Sequence, residues 1–336
     1  MVQLPTKRTK GSIENTRLTS LKRVFSRAIK ARESMLVILL LVLITVFGST
    51  IGGFVSVYNI RSSLMAMVTT TFVAIGQTAV LITGGFDLSV GSILAFCGIM
   101  TGKALNGGVP VVPAIMIGLF IGAGLGYLNG LLVTKVKMNP FIATLGTMTV
   151  VRGASLALTE GRVIGGLPKA FNFIGQGRIA GIPVAILMMF FLVIIGEVLL
   201  RKHRWFRQIF YIGSNEEAAR FSPIKVDRVK SFAYMISGFF AALAGIVSAS
   251  RMGSMMATAG SGVELTSIAA AIIGGVTLGG GAGSILGSVL GVMLLVIISN
   301  VLLLLGVSPY WQKVFSGGIL LAVVTIDVFS ARRKNA

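Results

Sequence analysis

The sequence predicts an all-α polytopic membrane protein, and three observations lead to this class. Of the 336 residues, 54% are hydrophobic and only 12% are charged, whereas a soluble domain carries about 25% charged residues. Apolar windows of roughly 20 residues, the length that crosses a bilayer as a helix, recur along the chain. The 43 glycines concentrate inside these windows, which indicates closely packed membrane helices.

Ten apolar windows predict about ten transmembrane helices. They cover residues 35–54, 63–83, 88–105, 111–133, 141–158, 181–200, 232–250, 265–283, 286–305 and 311–329. An even number of crossings places both termini on one side of the membrane. Because 22 of the 30 Lys and Arg residues fall on that side and seven on the other, the positive-inside rule makes both termini cytoplasmic.

The predicted organisation is a membrane domain, 35–331, between two short cytoplasmic tails, 1–34 and 332–336. The loop 201–230 within the domain carries eight Lys and Arg residues and is also expected in the cytoplasm. The first tail has no apolar core, so no cleavable signal peptide is expected. Its basic residues suit anionic membrane lipid, and nucleic acid is not expected as a partner of this chain.

Several kinds of chemistry are excluded by the sequence. Cys97 is the only cysteine and His203 the only histidine, so we expect no disulfide, no histidine metal cluster and no catalytic residues. The motif G-x-x-x-x-G-K-[ST] does not occur, so the chain is not expected to bind or hydrolyse ATP. We therefore predict no cofactor on this chain.

The stretch ITGGFDLSVGS, residues 82–92, places one carboxylate inside a long apolar region. Either Asp87 caps a new helix that begins at Leu88, or it contacts the transported substrate. Both alternatives place it away from lipid, because irregular backbone at membrane depth requires surrounding protein or a water-filled cavity. The residues assigned to this helix break and translocation path are Gly84, Gly85, Asp87, Ser89, Gly91 and Ser92.

A second stretch, GGVTLGGGAGSIL at 274–286, resembles GGFDLSVGSIL at 84–94 when two residues are inserted. Duplicated halves with glycine-broken helices are typical of transporters, which place the path between the repeats. The sequence therefore predicts an internal repeat and a second break on the path. The residues assigned to it are Gly274, Gly275, Gly279 and Gly283.

The cytoplasmic loop contains YIGSNEEAARFSP, residues 211–223. Ser214 and Glu217 have capping-box spacing and Pro223 is a stop signal, so the pattern predicts a helix of about eight residues. A helix this short does not persist alone in water and needs a surface. A cytoplasmic motor and lipid headgroups are both suitable surfaces.

Two further sites are predicted at span ends. NPFIATLGT opens the fifth window with Asn139 and Pro140, and with Thr144 and Thr147 it forms either a gate or hinge or an ordinary helix start. Glu264 opens the eighth window on the outer side. It either complements a helix N-terminus or lines the outer mouth.

Four stretches together resemble the permease subunits of bacterial ABC importers for monosaccharides, the family of the ribose, galactose, xylose and arabinose permeases. They are GQTAVLITGGFDLSVGSILAF (76–96), MNPFIATLGTMTVVRGASLALTEGR (138–162), IGSNEEAARFSPIKV (212–226) and ELTSIAAAIIGGVTLGGGAGSILGSVLGV (264–292). The resemblance implies a type II-like importer permease in the bacterial inner membrane. It also implies a separate ABC ATPase subunit that holds ATP and Mg, and a periplasmic or lipid-anchored sugar-binding protein.

The resemblance further implies that the short loop helix couples the permease to the ATPase. The residues assigned to this contact are Gly213, Asn215, Glu216, Glu217, Ala218, Ala219 and Arg220. One such helix per chain and two ATPase sites per importer imply two permease copies, most simply a homodimer. The alternatives are a nucleoside or furanose signal molecule as substrate, or a secondary carrier or channel. A membrane enzyme is not favoured, because the sequence contains no cluster of catalytic residues.

Overall fold

The computed structural model describes residues 33–308, 310–312, 314–315, 317–319, 321–322 and 325. The predicted tail 332–336 and nearly all of the tail 1–34 lie outside these residues, and the window 311–329 is described only in part. The helices with defined bounds are α1 Glu33–Thr50, α2 Val57–Ile82, α3 Val90–Asn106, α4 Val111–Thr134, α5 Pro140–Thr159, α6 Lys169–Gln176, α7 Val184–Lys202, α8 Gln208–Ser214, α9 Glu216–Arg220, α10 Val226–Met252, α11 Val263–Ile273 and α12 Ile285–Leu304. A two-stranded antiparallel hairpin, β1 Arg178–Ile179 and β2 Ile182–Pro183, joins α6 to α7.

Within the described residues, seven helices are long and apolar enough to cross a membrane. They are α1, α2, α4, α5, α7, α10 and α12, and two shorter apolar helices, α3 and α11, lie between them. The predicted class of polytopic all-α membrane protein is therefore confirmed. Helices α2, α3, α4 and α10 pack closely together at the centre.

The eighth predicted window, 265–283, is wrong as a continuous helix. Helix α11 ends at Ile273, and 11 residues extend only about 16 Å, short of a hydrocarbon core of about 30 Å. Gly275, Gly280 and Gly281 have positive φ angles of 95°, 84° and 78°, a conformation that cannot continue a helix. Averaged hydropathy counts these glycines as apolar and misses the break.

The glycines that recur every four residues on α4 form a packing surface. Gly118, Gly122, Gly126 and Gly130 are buried. A Cβ at Gly126 would lie 3.0 Å from the Cα and N of Gly238 on α10, so only glycines allow the two backbones to approach this closely. This packing makes α10, which also contacts α2 and α3 closely, a central element of the fold.

Candidate functional site

The first helix break separates α2 from α3. Gly84, with a φ angle of 77°, follows the end of α2, and α3 begins at Val90 with Ser89 as its N-cap. The predicted helix start at Leu88 is therefore two residues too early. Asp87 accepts a hydrogen bond from the Ser89 N–H just before the first turn of α3.

Asp87 is fully buried and accepts three hydrogen bonds. Its Oδ1 accepts from the Ser89 N–H at 3.0 Å and from the Ser89 hydroxyl at 2.6 Å. Its Oδ2 accepts from the Ser237 hydroxyl of α10 at 2.8 Å. The carboxylate therefore faces the protein interior, where donors replace the water that it loses.

A chain of buried side chains leads from this break to α4 and α5. The Asn129 Nδ2 donates to the Ser89 hydroxyl at 2.8 Å, and the Asn129 Oδ1 accepts from the Thr147 hydroxyl at 2.6 Å. The Leu88 N–H donates to the Thr144 hydroxyl at 3.1 Å. The structure thus brings the predicted gate threonines directly against the predicted break, through Asn129, which the sequence reasoning missed.

The start of α5 follows the local prediction. Asn139 is the N-cap, and its Oδ1 accepts from the Phe141 N–H at 2.9 Å. Pro140 occupies the first turn, where its missing N–H costs no hydrogen bond. Asn139 and Pro140 lie at the N-terminal end of α5. Thr144 accepts from the Leu88 N–H of the first break, and Thr147 donates to Asn129.

The second break joins α11 to α12 through residues 274–284. A turn closes between Thr277 and Ala282, where the Thr277 N–H donates to the Ala282 carbonyl at 3.1 Å. Ser284 is the N-cap of α12, and its hydroxyl accepts from the Gly287 N–H at 2.9 Å. Gly274 packs on the Gly287 backbone, so α11 and the first turn of α12 are in close contact.

Glu197 of α7 caps the second break and was missed by the sequence reasoning. Its Oε2 accepts from the Ile285 N–H at 2.8 Å and the Leu286 N–H at 3.1 Å, at the N-terminus of α12. The residue is only 6% exposed, and Arg201 binds its other oxygen. A single acid inside the apolar window 181–200 was the available signal, since such an acid requires a partner in the protein.

The two breaks meet each other and the end of α8. The Gly281 N–H donates to the Ile82 carbonyl at 2.8 Å. A Cβ at Gly280 would lie 2.8 Å from the Gly84 nitrogen and 3.0 Å from the Gly213 Cα. A Cβ at Gly213 would collide with the Ile82 carbonyl oxygen and the Gly281 nitrogen. The end of α8 is therefore in backbone contact with both breaks.

Helix α9 follows directly and is shorter than predicted. It spans five residues, and its N-cap is Asn215, whose Oδ1 accepts from the Ala218 N–H at 2.9 Å. The predicted cap at Ser214 is wrong, because that hydroxyl donates back to the Phe210 carbonyl at 2.8 Å and Ser214 remains part of α8. Glu217 and Ala218 are exposed, whereas Ala219 is buried.

Ion pairs hold α9 on the start of α10. Glu216 pairs with Arg220 at 2.7 Å and with Lys230 at 2.8 Å, and Arg220 pairs with Asp227 at 3.2 Å. Burial by itself would raise the pKa of Glu216, but hydrogen bonds from Lys230 and Arg220 outweigh it and hold that pKa below its ordinary value. The Glu216 carboxylate is thus a fixed anion between two cations.

Glu264 lies near the N-terminus of α11, where an irregular segment, 253–262, runs along α3. Its Oε1 accepts from the Gly262 N–H at 3.0 Å, and its Oε2 packs against Gly91. Arg152 of α5, also missed, donates to the Ala259 carbonyl at 2.8 Å. Glu264, the predicted outer-mouth residue, therefore contacts the start of α3. Beside it, the Arg152 guanidinium donates a hydrogen bond to a backbone carbonyl of the irregular segment.

The fold and these breaks define a membrane transport protein, and comparison with known proteins gives the class. Residues 59–324 match the family described as "Branched-chain amino acid transport system / permease component", and the chain belongs to that family. The predicted class, a permease subunit of an ABC importer that is not itself an enzyme, is confirmed.

Individual relatives are named as sugar or signal-molecule permeases. The chain is 43% identical to the ribose import permease protein RbsC of Bacillus subtilis over 299 residues, 88% of this chain and 92% of the relative. It is 35% identical to the RbsC of Escherichia coli over 316 residues, 93% and 98% of the two chains. It is 39% identical to the autoinducer 2 import system permease protein LsrC of Yersinia enterocolitica over 255 residues, 76% and 71% of the two chains. No solved structure matches the chain.

Proposed function

We propose that this chain forms the translocation path of an ABC importer for a monosaccharide and that α8 and α9 couple it to the ATPase. The single observation that carries the proposal is the backbone contact of Gly213 with Ile82 and Gly281. A force applied to α9 passes through α8 into both helix breaks without an intervening flexible side chain. The likeness to ribose import permeases supports a sugar as the substrate.

The polar groups near the first break suit a neutral sugar. Gln77 of α2 is fully buried, and within the described residues neither of its amide atoms has a hydrogen-bond partner. The buried Thr71 hydroxyl of the same helix also has no partner there. Because unpaired buried polar groups are costly, we infer that sugar hydroxyls bind them when the path opens.

The proposed assembly contains two copies of this chain, the ATPase and a sugar-binding protein. Both termini and α9 lie in the cytoplasm of the bacterium in this proposal, on the side with the larger number of Lys and Arg residues. Glu264 and the loop 159–180 then face outward. Exposed cations of that loop, such as Arg162 and Arg178, suit acidic residues on the binding protein.

Replacing Glu217 with Lys tests the coupling assignment. The side chain is exposed, so we expect normal insertion and a melting temperature within the error of the wild type. We expect loss of ATP-driven uptake, because the charge at the ATPase contact is reversed. Uptake is measured in proteoliposomes that contain the permease, its ATPase and its binding protein, with Glu160→Lys on the outer side as the matched control.

Uptake at the wild-type rate by Glu217→Lys would remove the coupling role from α9. Uptake by the permease alone, without the ATPase, would support a secondary carrier instead. A second substrate is suggested by the likeness to the autoinducer 2 permease. Competition between labelled ribose and a furanose signal molecule in the same proteoliposomes separates the two candidates.

A further inference from the structure

A cavity of about 600 Å³ opens at the ends of α4 and α10. It is separate from the two breaks and has no role in the proposed transport path. The residues that line it are Tyr127, Leu131, Lys135, His203, Trp205, Phe206, Asp227, Arg228, Ser231 and Phe232. Aromatic and aliphatic side chains form most of the wall, and cationic side chains stand at one end.

The cavity extends from the apolar part of a membrane span to its charged end. Tyr127 lies eight residues before Lys135 on α4, a distance of about 12 Å along a helix. Tyr127 is 45% exposed although it lies inside an apolar helix that is long enough to cross the membrane. One wall therefore faces the hydrocarbon region, and the other end reaches the headgroup level.

The charged end has an excess of positive charge. Asp227 is the only acid in the lining, and it is shared by Lys135 at 3.7 Å, Lys137 at 3.5 Å and Arg220 at 3.2 Å. Arg228 is exposed and has no ion pair within the described part of the chain. An anion at this end would meet at least one cation that has no other partner.

Three aromatic rings form the wall next to this end. Trp205 lies with its ring centroid 4.3 Å from that of Phe232 and 5.5 Å from that of Phe206, in edge-to-face arrangements. Aromatic rings of this kind are enriched where hydrocarbon meets water in a membrane. Their position agrees with the depth that α4 gives to the cavity.

We propose that this cavity binds one anionic phospholipid of the cytoplasmic leaflet. The phosphate lies between Lys135 and Arg228, and an acyl chain runs past Phe232 and Leu131 to Tyr127. Basic pockets between membrane helices on the cytoplasmic side are suited to such headgroups. A soluble protein partner fits less well, because it cannot reach Tyr127 inside the bilayer.

The proposal rests on the membrane orientation proposed above but not on sugar transport, so its test uses the purified permease alone. Full-length protein in detergent is titrated with phosphatidylglycerol, phosphatidylcholine with the same acyl chains, or glycerol 3-phosphate, and bound lipid is counted by native mass spectrometry. The cavity variant is Lys135→Ala/Arg228→Ala. The matched control, Lys202→Ala/Arg204→Ala, removes equal charge from exposed residues outside the cavity.

The wild type is expected to bind phosphatidylglycerol roughly tenfold more tightly than phosphatidylcholine. The cavity variant loses this preference and the control keeps it, and Trp205→Ala weakens binding of both lipids. Equal loss in both double variants would overturn the proposal, because it would indicate diffuse attraction only. Glycerol 3-phosphate binding as tightly as the lipid would also overturn it.

Discussion

The two helix breaks have similar sequences but different supports. The first, after α2, carries its own carboxylate, and Asp87 is held by Ser89 and Ser237 in a fully buried network. The second, after α11, has no acid of its own in 274–284, and Glu197 of α7 supplies the carboxylate from another helix. Two breaks of similar sequence are therefore stabilised by carboxylates from different parts of the chain.

The supports also connect the breaks to different neighbours. The first break is tied through Asn129 to α4 and α5. The second is partly exposed, with Gly279 at the surface, and it contacts α8 through Gly281 and Ser214. The first break is thus held by side chains of α4 and α5, whereas the second is in backbone contact with α8.

Gly213→Val is expected to give the largest effect. A side chain there collides with Ile82 and Gly281, and overpacking of this kind costs about 1–3 kcal/mol of stability. Because the collision also separates both breaks from α8, ATP-driven uptake should fall close to background in proteoliposomes. Gly124→Ala is the control, since a Cβ there meets nothing within 4 Å. A comparable loss of uptake in this control would contradict the role given to the Gly213 contact.

Asp87→Ala is expected to come next. The change leaves the Ser89 N–H and two hydroxyls without their acceptor in a fully buried site. Leaving such donors unpaired lowers the free energy of unfolding by about 2–4 kcal/mol. Thermal unfolding in detergent measures the loss, and Asp87→Asn, which keeps the shape and one acceptor, should recover part of it.

Glu197→Ala should destabilise the protein less than Asp87→Ala. It removes a carboxylate cap from α12, which costs about 1–2 kcal/mol, while the side chain of its partner Arg201 is 44% exposed and can turn to water. The same unfolding assay ranks the two variants. A larger loss for Glu197→Ala would contradict the expectation that the fully buried carboxylate network of the first break contributes more stability than the cap of the second.

The smallest effect concerns pH at α9. The pKa of Glu216 is lowered in the folded chain from an ordinary value of 4.5, so the stabilisation it provides is present above that pH and is lost as pH falls through the lower folded value. Amide hydrogen exchange in α9 should therefore accelerate only below about pH 4.5. Glu216→Gln should show no such step, and an identical step in that variant would assign it to another group.

Local features were predictable because they depend on neighbouring residues. The helix start at Asn139 and Pro140, the helix window 111–133 and the close packing of glycine-rich helices all appear in the structure with small changes of boundary. The cap of α9 was misassigned by one residue, because Ser214 and Asn215 are both favoured N-cap residues and α8 takes the serine. The length of α11 was misjudged because hydropathy does not register backbone conformation.

The sequence by itself determined the membrane class, most spans and the family, since hydrophobic length, charge asymmetry and motifs are read along the chain. Only the tertiary structure decided that Thr144 and Thr147 meet the first break, that Glu197 caps α12, and that Gly213 contacts both breaks. These contacts join residues far apart in sequence through close backbone packing. That packing depends on how glycine-lined helices fit together in three dimensions, which no local pattern encodes.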